Sequence, residues 1–273
     1  MKKIGIIGCG AIGSELAKSI DAETMNATLV SIFDTYVDAA NKLANKLKTK
    51  VIVAKTIDEF LSNDMDIVVE AASQEAVRKY AKLVLEHDMD IMIMSVGALL
   101  DTDLYDDLVH TAEKYDVRIY LPTGAIAGID AIRSVKHMLT EITLTTTKNP
   151  KGLEGAPFFD THTRIDLKKI KKPTVIYEGK AMEAVKLFPA NVNVAAVLSL
   201  AGIGGNKTKV RIVADPKSKM NVHEITARGK FGEMRFQIKN FPSPKNPKTS
   251  YLAVLSATEC LRSICDNRVN IGT

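Results

Sequence analysis

Three glycines and one aspartate near the N-terminus have the types and spacing of a phosphate-and-ribose cradle. Gly8, Gly10 and Gly13 form G-x-G-x-x-G within "GIIGCGAIGSEL". In such a turn the first glycine permits the tight bend and the second lets a pyrophosphate approach the backbone. The third lets a strand and a helix pack closely. Ala11 and Ile12 fill the positions between, where the free N–H groups of a helix start meet phosphate oxygens. Asp34 follows Gly13 by 21 residues, the distance at which an acid binds a ribose 2′-OH. A carboxylate there favours NAD, because a 2′-phosphate would meet negative charge; NADP is kept as the second cofactor to test. Cys9, a variable position of the motif, reads as a small residue facing a sheet.

A second group of chemistry-bearing residues lies far downstream. "KMNVHEITARG" (219–229) has strand-like alternation, with His223 where Val or Ile would serve packing better. A lone histidine in a strand is usually a packing residue; one placed at a site is a natural proton acceptor near neutral pH. His162 in "FDTHTRI" is its rival, and His87, His110 and His137 lie among charged or helix-end neighbours. Asn191 and Asn193 sit at a helix start, where Asn caps well. Lys248, Thr249 and Ser250 follow Pro247 before an apolar helical run. They are either capping residues or an anion site of helix N–H groups, hydroxyls and one ammonium. Arg164 and Arg211 are further candidate cations, and Glu70 ends a strand in a structural role.

The elements that must position these residues fall into two sets. Residues 1–125 alternate apolar strands (3–8, 28–34, 50–54, 66–73, 90–99, 117–125) with helices of 10–15 residues. That pattern predicts βαβ units and a doubly wound parallel sheet. Ligands of such a sheet bind at strand C-terminal ends, here "EAAS" with Ala72 and Ser73, "VGAL", and "LPTGAIAGIDA". Thr56 and Glu59 have capping-box spacing. Beyond residue 125, strands at 141–150, 209–216, 221–228 and 231–239 with two helices around Pro189 predict a second α/β domain with an antiparallel or mixed sheet. The boundaries read as 1–125, 126–245, and a closing helix within 246–273 that completes the first domain.

Composition limits the alternatives. The chain of 273 residues is 46% hydrophobic and 25% charged, with a net charge of +5 and no Trp. Basic residues are scattered apart from "LKKIKK", so no nucleic-acid platform is expected. Three cysteines without regular spacing predict neither a disulfide framework nor a metal site. No apolar run reaches the ~18 residues needed to span a bilayer, and no signal-peptide pattern opens the chain. A cytoplasmic protein without membrane or nucleic-acid partners is the expectation.

The ordered set "EAAS", "VGAL", "LPTGAIAGIDA", "FPANVNVAAVLSLAG", "NVHEI" and "NPKTSYLAVLSA" resembles the L-aspartate dehydrogenase family over nearly the whole chain. The resemblance implies NAD(P)-dependent oxidation of L-aspartate to iminoaspartate. That imine hydrolyses to oxaloacetate and ammonia or feeds NAD biosynthesis through quinolinate. It also implies His223 as the catalytic residue, and Ala125 and Asn193 as contacts to the nicotinamide end of the cofactor. Asn221, Lys248, Thr249 and Ser250 would bind substrate, and a homodimer would form through the second domain. Rival readings are a homoserine dehydrogenase-like enzyme, a dihydrodipicolinate reductase (whose adjacent-histidine element is missing here), and a non-catalytic NAD(H) sensor.

Overall fold

A computed structural model of the chain describes residues 1–163, 165–189, 192–243 and 246–266, with the side chains of 246–248 outside that description. Two compact units emerge: Met1–Pro122 with the C-terminal residues from Val254, and Thr123–Ala253.

The first unit opens with β1 (Lys2–Ile7), α1 (Ala11–Asp21), β2 (Ala27–Phe33), α2 (Val37–Ala44), β3 (Ile52–Ala54) and α3 (Ile57–Leu61). It continues with β4 (Ile67–Glu70), α4 (Gln74–Glu86), β5 (Asp90–Ile93), α5 (Thr102–Lys114) and β6 (Ile119–Tyr120). All six strands are parallel, in the order β3-β2-β1-β4-β5-β6. The order reverses between β1 and β4, the switch point at which doubly wound sheets bind ligands. Local chemistry fixes the helix starts. Thr56 Oγ1 accepts from Glu59 N at 3.1 Å while Glu59 Oε2 accepts from Lys55 N at 2.8 Å. Ser73 Oγ accepts from Ala76 N at 3.1 Å at the head of α4.

Three strands of the first unit are markedly shorter than the sequence predicts, the one read over 117–125 being confined to Ile119–Tyr120. The strand read over 66–73 stops at Glu70 because its carboxylate captures the next amides, Ala72 N and Ser73 N, at 2.8 and 2.9 Å. The strand read over 90–99 stops at Ile93, and Val96–Leu100 forms a buried 3₁₀ turn. A continuous apolar run carries no period that separates strand from helix.

The second unit holds α6 (Ile129–Ser134), β7 (Leu139–Lys148), α7 (Phe158–Thr161), β8 (Thr174–Lys180), α8 (Ala181–Leu187) and α9 (Asn193–Ala201). After these come β9 (Lys209–Ala214), β10 (Asn221–Gly229), β11 (Gly232–Asn240), β12 (Pro242–Ser243) and β13 (Asn246–Ser250). Its main sheet is mixed, β11-β10-β7-β9-β8, with only β7 and β9 parallel. One face carries Ile142, Leu144, Val210, Ile212, Ile225 and Ala227, all buried. Phe236 packs on Gly128, where an added Cβ would lie 2.4 Å from the ring.

The last helix, α10 (Tyr251–Cys265), begins later than the 248–264 read from sequence. Residues 246–250 pair with 242–243 in a two-stranded ribbon, and Ser250 accepts a bond from Asn221. Those ties hold them with the second unit, so the division falls at 253/254 rather than 245/246; the first division falls at 122/123 rather than 125/126. Ala257, Leu261, Ile264 and Cys265 of α10 join the core of Ile4, Ile6, Leu16 and Met92.

Candidate functional site

In the first unit, the motif glycines form a cradle whose sterics separate their roles. Gly8 has φ +99°, and a Cβ on it would lie 2.7 Å from the Ala71 carbonyl carbon. A Cβ on Gly13 would lie 1.9 Å from the Gly8 carbonyl oxygen, so α1 can sit against the turn only through glycine. Gly10 has nothing within 4 Å of such a Cβ, leaving open space at the N-cap of α1. Ala11 and Ile12 open that helix, and no side chain caps it. Open space, unclaimed N–H groups and the positive helix end suit a pyrophosphate.

A cleft of about 270 Å³ adjoins the cradle, lined by Gly8, Asp34, Thr35, Ala72, Ser73 and Tyr80 among others. Asp34 is fixed there by two backbone amides. Its Oδ2 accepts from Cys9 N at 2.7 Å and its Oδ1 from Tyr36 N at 2.8 Å. Each oxygen retains a lone pair for a ribose hydroxyl. Burial and the Asp34 charge push the Cys9 thiol up to about 12, so it stays protonated and unreactive. Glu70, 1% exposed, ties the cleft together: it accepts from Ala72 N, Ser73 N, Ser95 N and Ser95 Oγ. Burial raises its pKa against the pull of these bonds.

In the second unit, the buried face of the main sheet changes character at one end. His223 is 1% exposed, and its Nδ1 lies 3.0 Å from Thr146 Oγ1, directly across in the register of β10 and β7. Burial, aided by the charge of Lys148, pushes the imidazole down to about 3. In the free protein this favours the neutral imidazole, the form that can accept a proton. Lys148 is 2% exposed, and burial brings its ammonium down to about 7. Asn221 is buried and its Nδ2 donates to Ser250 Oγ at 3.0 Å. Thr249 is half-buried beside it on β13. These residues are therefore on a strand, not at a helix start, and only Ser250 directly precedes α10. The side chain of Lys248 lies outside the described residues, as do Asn191 and Arg164.

Asn193 is the first residue of α9, whose N-cap is Val192. It is not the N-cap that Asn at a helix start would ordinarily be. Ala125 is buried, and a Cβ on neighbouring Gly124 would lie 3.4 Å from Val194, so this segment runs along the first turn of α9. Arg211 does not join the site: it is on the exposed face of β9, near Glu178 at 3.6 Å. His162 stacks on Phe158 at 4.0 Å in an aromatic cluster with Phe188 and Tyr177, and bonds the Phe158 carbonyl. Sequence reasoning missed Lys148, Thr146 and Asn240. The signal was present in "EITLTTTK", where Lys148 occupies the inward phase of Ile142, Leu144 and Thr146.

Known proteins match both halves. Residues 130–264 match a family model described as aspartate dehydrogenase, C-terminal. The chain is 51% identical to L-aspartate dehydrogenase of Nitrosopumilus maritimus over 273 residues, covering 100% of both chains. The chain belongs to the L-aspartate dehydrogenase family. It is 48% identical to the enzyme of Methanosarcina barkeri, again with both chains fully covered. The crystal structure of aspartate dehydrogenase from Thermotoga maritima is 30% identical with a TM-score of 0.77, and all of each chain is covered. Residues 8–122 match a model described as homoserine dehydrogenase, NAD binding domain. A scyllo-inositol dehydrogenase from Lactobacillus casei, at 15% identity and TM-score 0.61, shares the fold alone. The chain is thus an NAD-dependent oxidoreductase that acts on L-aspartate, and the homoserine and sensor readings give way. Among the described residues, no helix is long and apolar enough to cross a membrane.

Proposed function

We propose that His223 takes the amine proton of L-aspartate while the α-carbon loses hydride. The observation that carries this reading is a fully buried imidazole, pinned by Thr146, at the polar end of a sheet face whose other end is filled by apolar side chains. The productive tautomer has Nδ1–H donating to Thr146 Oγ1, which leaves the Nε2 lone pair to accept. Its low proton affinity in the free protein comes from burial and from the Lys148 charge. A bound dianionic substrate reverses that balance, because nearby carboxylates favour the imidazolium. The site then gains a proton acceptor only when aspartate is present.

The fit to NAD rests on the open space at Gly10, the uncapped α1 N-terminus and the Asp34 carboxylate in the cleft. When bound, NAD⁺ supplies the hydride acceptor. Gly8, Gly10, Ala11, Ile12 and Gly13 hold the pyrophosphate, Asp34 reads the ribose, and Ala72 and Ser73 border the adenosine. Ala125 and Asn193 contact the nicotinamide end. NADP is the less favoured cofactor, since its 2′-phosphate would face Asp34. Asn221, Lys248, Thr249 and Ser250 contact aspartate; the Asn221–Ser250 bond supports the grouping of two of them.

The product imine hydrolyses to oxaloacetate and ammonia, or supplies quinolinate and hence NAD synthesis; the family resemblance supports this placement. Three free cysteines support a reducing, cytoplasmic setting. The exposed outer face of β9 and β10 supports a homodimer formed through the second unit. The test is His223→Ala. Aspartate turnover should fall ~10²–10⁴-fold, the usual share of one positioned acid–base group, with NADH affinity and fold retained. A stable variant with near-normal kcat would refute the role.

A further inference from the structure

Two helix starts of the first unit border the turns around the cofactor cleft, and one acidic side chain sets them apart. α1 begins at Ala11 with no side-chain cap. α4 begins at Gln74, and amides at its head are already taken. Ser73 Oγ accepts from Ala76 N at 3.1 Å, and Glu70 Oε1 accepts from Ala72 N and Ser73 N at 2.8 and 2.9 Å. Glu70 also reaches across to the next strand. Its Oε2 accepts from Ser95 N at 3.0 Å and its Oε1 from Ser95 Oγ at 2.9 Å. The backbone fastens the same point: Met94 N donates to Glu70 O at 2.9 Å and Ala71 N to Ile7 O at 2.8 Å. The ends of β1, β4 and β5 therefore meet at Glu70.

This arrangement asks for a carboxylate in particular. Glu70 is 1% exposed, and taking a carboxylate out of water is expensive. An apolar residue would fill the space without that cost. Three of these donors are backbone N–H groups, which can only donate, so both oxygens must accept. A carboxylate offers about four lone-pair sites for this, whereas a glutamine amide offers two and brings N–H groups of its own. Whichever way that amide faced, it would set an N–H against a backbone N–H.

The segment held in this way is one wall of the cleft. Ala72, Ser73, Glu75, Ala76, Lys79 and Tyr80 line it, all from the loop after Glu70 or the first turns of α4. The rest of the lining comes from the ends of β1 and β2 and the turns after them. Ala71 packs so closely on Gly8 that a shift of this loop reaches the glycine turn at once. A wall fixed before the ligand arrives spares binding the cost of ordering it.

We infer that Glu70 is a positioning residue for the cofactor. By holding residues 72–73 and Ser95 from one buried carboxylate, it presets the α4 wall against which the adenosine half of NAD lies. By occupying amides at the head of α4, it leaves α1 as the helix start open to the pyrophosphate. Its effect is on cofactor affinity, not on the chemical step. The inference rests on the proposed placement of NAD in this cleft, and the test separates the two.

Glu70→Gln should weaken NADH by about tenfold or more, the range for a hydrogen bond to a charged group. ADP-ribose, which lacks the nicotinamide, should weaken by the same factor when titrated calorimetrically. With NAD⁺ and aspartate saturating, kcat should stay near the parent value, so that the loss appears in the KM for NAD⁺. Ser95→Ala removes one donor and leaves the carboxylate its backbone partners; both ligands should weaken by a smaller factor. A folded Glu70→Gln chain that binds NADH and ADP-ribose as the parent does, with only its melting temperature lowered, would make the carboxylate structural and overturn the inference. Loss of NADH without loss of ADP-ribose would overturn it as well, because the adenosine wall would then be intact. If Glu70→Gln does not fold, Ser95→Ala decides, and parental affinity for ADP-ribose in that variant rejects the role. Unchanged NADH affinity in both Asp34→Ala and Gly10→Ala would instead overturn the placement of NAD on which the inference rests.

Discussion

In the free protein, burial and the Lys148 charge push the His223 imidazole down to about 3. That shift has a consequence for stability. Between pH 6.5, the ordinary value, and about 3, the unfolded chain binds a proton here that the folded chain refuses. Stability from this group is therefore complete above pH 6.5 and lost as pH falls toward 3. Lys148 acts in the same direction at higher pH. Its folded value of about 7 lies below the ordinary 10.5. Between about 7 and 10.5 the unfolded chain binds a proton here that the folded chain does not, so stability from this group rises with pH across that window. Lys148→Met should accordingly flatten the rise of melting temperature between pH 7 and pH 10, a trend that thermal melts of variant and parent across that range would show. Asp34 gives a separate residue-scale prediction. Asp34→Ala removes the ribose partner and the repulsion of a 2′-phosphate together. The ratio of NAD to NADP affinity should drop by about tenfold or more, the range for a hydrogen bond to a charged group. An unchanged ratio would show that Asp34 does not read the ribose.

The β1–turn–α1 element divides its labour among glycines that look equivalent in sequence. Gly13→Ala places a Cβ 1.9 Å from the Gly8 carbonyl oxygen, a backbone atom that cannot move aside without displacing α1. It should cost about 1–3 kcal/mol or more as an overpacking change and weaken NAD as well. Gly10→Ala meets nothing within 4 Å. The melting temperature of that variant should stay within about a degree or two of the parent, since an open surface position costs little, yet NAD affinity should fall because the methyl occupies the pyrophosphate's approach. Measuring melting temperature and NADH titration on both variants checks the division; a Gly10→Ala chain that binds NADH normally would place the pyrophosphate elsewhere. The motif spacing made this element readable, since each glycine has one steric reason to be there. His223 was readable as a residue out of character in its strand. Other parts were hidden for physical reasons. β8 at Thr174–Lys180 lies in a stretch without clear alternation, and α6 is a six-residue helix without a side-chain cap. "NPKTS" reads as a helix start but forms a strand, because it finds a pairing partner in 242–243. The inward phase of Lys148 was legible in its own strand, but its row with Asn221 and Asn240 comes from cross-strand register, which a single strand does not reveal.

At the scale of the whole chain, the two halves match families with different substrates. Residues 8–122 match the NAD-binding domain of homoserine dehydrogenase, and residues 130–264 match the C-terminal part of aspartate dehydrogenase. The first unit supplies glycines, helix N–H groups and one carboxylate, which on the proposed function meet features that every NAD molecule carries. Nothing in that set can read a substrate. The second unit supplies the buried His223 and Lys148 and a lysine-walled cavity that reaches Asn221, a chemistry that suits two carboxylates and one amine. Substrate choice should therefore follow the second half. The enzyme should oxidise L-aspartate and leave L-homoserine, which has a hydroxyl where aspartate has its second carboxylate, essentially untouched. L-Asparagine keeps the shape of aspartate but loses the second charge, and with it the attraction of a carboxylate to a basic site. L-Glutamate keeps the charge but moves it by one methylene. Losing a charge partner in a buried site costs more than shifting an apolar group. We therefore expect kcat/KM to rank aspartate first by at least about 10²-fold, a difference that missing polar partners readily produce. NADH formation with purified protein and the four amino acids measures the ranking. Comparable values for aspartate and asparagine would mean that the second carboxylate is not held by charge. Turnover of homoserine at the rate of aspartate would return substrate choice to the first half.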